Sequence, residues 1–113
     1  MQTFELRLNE KYFNSIKQGT KTIEMRLFDE KRQQYNVGDI LIFKKRPDEK
    51  EILQAKIINL HKANSFADLY KKFNKVKLGY SETESANPED MLEFYSAEDQ
   101  QKYGVIGIEI ALL

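Results

Sequence analysis

"GTKTIEMRLFDEKR", residues 19–32, alternates as a β-strand does: Ile23, Met25 and Leu27 fall on one face, Thr22, Glu24 and Arg26 on the other. A turn glycine, Gly19, and a lysine, Lys21, stand before this polar row, and a dense charged turn follows it. The row is either a solvated sheet edge or the floor of a site. As an edge, Glu24 and Arg26 would satisfy each other as an exposed pair, about 6.6 to 7 Å apart at Cα. Lys21 belongs to the opposite parity, so it joins them only if the strand starts after it or carries a bulge.

Working outward, "TFELRLN" reads as a strand ahead of this stretch. Asn9 reads as the N-cap of a helix carrying Tyr12, Phe13 and Ile16, which Gly19 stops. "DILIFKK" after Gly38 and "EILQAKIINLHK" read as two further strands joined by "RPDEK". "SFADLYKKF" is an amphipathic helix with Ser65 and Asp68 resembling a capping box. Residues 74–104 are less regular; Pro88 after Asn87 and Ser96 with Asp99 mark two short helical starts. "SETE" at 81–84 is itself a capping-box pattern, with Ser81 as N-cap and Glu84 three positions on. "VIGIEIALL" closes the chain as a strand apolar enough to be buried along most of its length. The order predicts an α+β fold, a small mixed β-barrel with peripheral short helices, rather than a parallel sheet.

The 113 residues suffice for one core, so a single domain spanning 1–113 is expected. Hydrophobic content is 41% and no stretch is both apolar and long enough to cross a bilayer. "MQTFELRLNEKYF" shows no export signal, which makes a soluble, cytoplasmic protein the expectation. With no cysteine and one histidine, His61, neither a disulfide framework nor a zinc site is expected, and no other cofactor is implied. The net charge of zero conceals a division. Residues 1–79 hold 17 Lys/Arg against 10 Asp/Glu, and residues 80–113 hold 1 against 8. The basic part could present phosphate contacts or merely neutralise the acidic part across the fold.

"GTKTIEMR" with "DEKR", then "VGDILIF" at 37–43 and "YGVIGIEI" at 103–110, resembles the ASC-1 homology (ASCH) domain, a relative of the RNA-binding PUA fold. The similarity runs through nearly the whole chain in the family's order. It implies a PUA-like barrel whose cleft, lined by the Lys/Glu/Arg row, takes RNA or a modified nucleoside. Some small bacterial members are amidohydrolases of N4-acetylcytidine that use a lysine, a threonine and a glutamate. Lys21 matches that lysine, Glu24 stands where the threonine would be, and Glu84 is the choice for the glutamate among Glu82, Glu84, Glu89 and Glu93.

Two functions are therefore expected, binding and amide hydrolysis, beside a plain protein-interaction module using the acidic segment from Glu82 to Asp99. As a nucleophile, Lys21 would have to shed its proton, which a neighbouring Glu24 opposes; Glu24 could instead activate a water while Lys21 or Arg26 stabilises an oxyanion. Thr22 and Arg26 are expected to grip a ligand. Lys31 and Arg32 suit phosphate contacts, as do Lys44, Lys45 and Arg46. Tyr35, Tyr80 and above all Tyr103 are candidates for base stacking.

Overall fold

The computed structural model describes residues 1–113 as one five-stranded sheet wrapped by short helices. Its strands are β1 (Thr3–Leu8), β2 (Ile23–Leu27), β3 (Ile40–Lys45), β4 (Ile52–Ala63) and β5 (Val105–Leu112), in spatial order β1-β3-β4-β5-β2. β1 and β3 run parallel and the other pairs antiparallel, so the sheet is mixed, as the element order predicts. It curls into a half-barrel. β1 and β2 are its edges and share no ladder, leaving a seam between them.

Four helices follow the sequence signals in part. Helix α1 (Glu10–Lys17) starts after Asn9, and Gly19, at φ 85°, turns the chain into β2. In α2 (Phe66–Lys72) and α4 (Ala97–Tyr103) the hydroxyls of Ser65 and Ser96 accept from the N–H groups of Asp68 and Asp99. Pro88–Glu93 forms a 3-10 turn behind Asn87. Helix α3 (Lys75–Leu78) is absent from the sequence reading, although Asn74 caps its start and Gly79, left-handed at φ 112°, ends it. "SETE" builds no helix: the Glu84 carboxylate does accept from the Ser81 N–H at 2.8 Å, but it closes only a turn.

β2 and β5 are buried on both faces, and β1, β3 and β4 mainly on one. Leu6, Leu8, Phe13, Leu41, Phe43, Ile57, Ile106 and Ile108 fill the concave side beneath α1. Ile23, Met25, Leu27, Phe66, Leu69, Leu78 and Met91 pack the convex side under the other helices. β5 contributes to both, which is why its sequence is continuously apolar. Glu24 stands opposite Ile108 and Arg26 opposite Ile106, and directly paired residues share a face. The polar row of β2 therefore turns into the half-barrel. No helix is long and apolar enough to cross a membrane.

Candidate functional site

Lys21 and Glu24 are each only 4% exposed, which overturns the exposed-pair reading of this row. The strand begins at Ile23, so Lys21 escapes the alternation and bends back toward Glu24. Glu24 Oε1 accepts from Lys21 Nζ at 3.1 Å, while Oε2 takes Arg26 Nε at 2.9 Å and Nη2 at 2.8 Å. The ammonium also donates to the Leu78 carbonyl at 3.0 Å, a group that the end of α3 leaves free, and lies 5.2 Å from the Tyr12 ring centre. Gly79 gives it room: a Cβ there would stand 3.1 Å from Lys21 Cδ and 3.3 Å from Nζ.

The electrostatics follow from the count of charges. Burial opposes the ionised Glu24 carboxyl, but Lys21 and then Arg26 more than offset this and hold it below the usual carboxylate range. For Arg26 burial disfavours the guanidinium, and Glu24 overcomes it, so its proton is held more tightly than usual. Two cations share one carboxylate. The cluster carries a net positive charge in a largely dry place, where a polar group of a ligand meets little competition from water.

This cluster forms the floor of a cavity of about 150 Å³ at the β1–β2 seam. Arg26 Nη2 spans the seam to the Arg7 carbonyl at 3.4 Å. Tyr12, Tyr70, Tyr80, Phe94 and Tyr95 supply aromatic walls, with Tyr12 and Phe94 edge to face at 6.1 Å. The Tyr80 hydroxyl lies 2.7 Å from that of Tyr70 and donates to Asp90 Oδ2 at 2.7 Å. Burial first, then these two partners, push the Tyr80 phenol upward, so it stays protonated. No cluster of three His, Asp or Glu side chains gathers to hold a metal ion.

The other residues singled out in the sequence are scattered. Thr22 serves the backbone, donating from its N–H to the Lys77 carbonyl and accepting from Ile110, and does not line the cavity. Lys31 is exposed elsewhere, and Arg32 pairs with Asp29 at 3.2 Å. Tyr103 borders a separate shallow groove with Phe28 and Lys62. Tyr35 is buried against Phe4, ring centres 4.5 Å apart. Lys44 and Lys45 pair with Glu5 and Glu51, whereas Arg46 does line the cavity. His61 bridges Glu109 and Lys72 far along β4.

Glu84 sits outside the cavity, bonded to Lys11 Nζ at 2.7 Å, while Asp90, not considered in the sequence, lines it. The Lys11 bond, helped by the Ser81 N–H, holds the Glu84 carboxyl down at about 2. A carboxyl lowered by folding contributes stability above its unfolded value, near 4.5, and loses it as pH falls toward 2. Lys11→Met is therefore expected to move the Glu84 titration up toward 4.5, and NMR of its side-chain carboxyl reads the midpoint directly. An unchanged midpoint would assign the shift to the turn rather than to Lys11.

Comparison with known proteins identifies the family and the fold. The ASCH domain model matches residues 6–113. Among solved structures, hypothetical protein PH0355 is 33% identical over all of both chains, with a TM-score of 0.82. Protein PF0455 from Pyrococcus furiosus is 30% identical over 100% of this chain and 98% of its own, with a TM-score of 0.74. A mutant of ZmASCH from Zymomonas mobilis shares the fold at a TM-score of 0.67 and 13% identity, over 95% of this chain and 66% of that one. No curated protein sequence matches. The half-barrel, its helices and the matched span agree: the chain belongs to the ASCH domain family and has its PUA-like fold.

Proposed function

We propose that the cavity binds a single base of RNA or of a modified nucleoside, with a carbonyl oxygen of that base directed at the Lys21–Glu24–Arg26 floor. The buried, net-positive cluster carries this reading, because a core position is a costly place for three charges unless something polar uses them. The size of the cavity supports it: about 150 Å³ is small beside the roughly 300–1,000 Å³ of pockets for drug-sized ligands, and suits one planar ring. The aromatic walls supply the faces on which a base stacks.

Hydrolysis of an acylated cytidine is the second reading, favoured by one observation: the cavity holds a carboxylate outside the cluster, Asp90. Glu24 is a poor base here, since both its oxygens are engaged by cations. Asp90 could instead accept a proton from water, with Arg26 facing the forming oxyanion.

Titration with N4-acetylcytidine, followed by chromatography for cytidine, separates the two. Saturable binding without cytidine is the expected result. Turnover that falls at least about 10²-fold in Asp90→Asn would establish the second reading. Absence of both binding and turnover would remove the nucleoside from consideration.

A further inference from the structure

Five cationic side chains line the cavity, and four of them are paired with carboxylates. Lys21 and Arg26 share Glu24; Lys11 has Glu84 at 2.7 Å; Arg7 has Glu49 at 3.1 Å. Arg46 alone has no carboxylate within reach. Its backbone is nonetheless fixed: it follows directly on β3, and its N–H donates to the Leu8 carbonyl of β1 at 2.9 Å. An exposed guanidinium on an anchored backbone, at the mouth of a cavity, is a site for an anion that the ligand itself brings.

The rest of the mouth gives that anion a direction. Arg7 lies on the same lip as Arg46, at the adjoining ends of β1 and β3. The lip formed by the 88–93 turn is acidic: Asp90 lines the cavity with no cation paired to it, whereas Glu84 lies outside and is taken by Lys11. A phosphate is therefore drawn to one side and repelled from the other. A strand crossing the mouth would carry phosphates over both lips, and the acidic one opposes it.

We propose that the site takes a nucleotide rather than a bare nucleoside, its base in the cavity and its phosphate on Arg46, as a free monophosphate or as the phosphorylated end of a strand. This rests on the base-binding reading above and adds to it the charge of the ligand. Arg46 presents a planar fork of donors that a lysine lacks, which suits bidentate recognition of phosphate oxygens.

The test compares N4-acetylcytidine with its 5′- and 3′-monophosphates by calorimetry at two salt concentrations, in the native chain and in Arg46→Gln. One monophosphate is expected to bind about tenfold tighter than the nucleoside, with log K falling against log salt on a slope about one unit steeper. Arg46→Gln is expected to erase that difference. Equal binding of nucleoside and monophosphates, or a gain that survives Arg46→Gln, would overturn the proposal and leave base binding standing. Binding of none of the three would overturn both. A trinucleotide with internal phosphates only, and the same strand 5′-phosphorylated, form the final arms. A gain for the phosphorylated strand equal to that of the free 5′-monophosphate identifies the strand end as an acceptable source, and a gain confined to the free compound identifies the mononucleotide. Full gain for the strand with internal phosphates would overturn the terminal assignment.

Discussion

Glu24→Ala is expected to destabilise the domain by about 3–5 kcal/mol, the usual consequence of removing one partner from a buried ion pair. Two cations lose their one carboxylate at once, in a cluster whose centre is 4% exposed. For a chain of this size each kcal/mol moves the midpoint by about 4–8 °C, so the melting temperature should drop by more than about 10 °C. Thermal unfolding followed by circular dichroism measures it. The dependence on pH has a defined sign. Because folding lowers the Glu24 carboxyl, its contribution is complete above the unfolded carboxylate value and fades as acid protonates the folded group. The native chain and Glu24→Ala should accordingly converge in acid. A loss under about 1 kcal/mol at neutral pH would show that the cluster is as well solvated as a surface pair.

Arg26→Ala is expected to weaken binding of N4-acetylcytidine by at least about 30-fold, in line with the 2–5 kcal/mol lost when a desolvated charged contact is truncated. Its guanidinium is both wall and seam, since it meets Glu24 on one side and the Arg7 carbonyl on the other. Lys21 and Glu24 remain paired in the variant, so the loss of affinity should exceed the loss of stability. Calorimetric titration beside a melting curve compares the two. Full affinity at a lowered melting temperature would make Arg26 a structural strut and move the ligand away from the floor.

Local signals made the strands and most caps legible. Ser65, Asn87 and Ser96 each cap a boundary with their own side chain, and Asn9 and Gly19 fall at or beside theirs by position, Asn9 making no side-chain cap bond. The period of β2 identified the row correctly but not its surroundings, because alternation distinguishes two faces without saying which is wet. Only the pairing of β2 with β5 turns Glu24 and Arg26 toward the concave core. Lys21 could not be read by parity, since it lies before the strand that fixes parity. Helix α3 was missed because four residues make too short a period to detect. The pair Asn74 and Gly79, a cap and a left-handed stop, was the available signal. Tyr12 lies on α1, Asp90 and Phe94 on the 88–94 turn, and the two segments carry no shared motif; only the tertiary fold gathers them.

The ladder of β2 also bears on how the protein is made. Its one partner is β5, about eighty residues further along the chain, from Ile23 opposite Glu109 to Leu27 opposite Val105. Until β5 has left the ribosome, the strand that carries Glu24 and Arg26 has no neighbour to hydrogen-bond, and its charges stay in water. At about 5–20 residues per second, that interval lasts several seconds. The Lys21–Glu24–Arg26 floor is thus among the last features to assemble during synthesis, since a nascent chain halted before residue 105 lacks the only strand that pairs with β2.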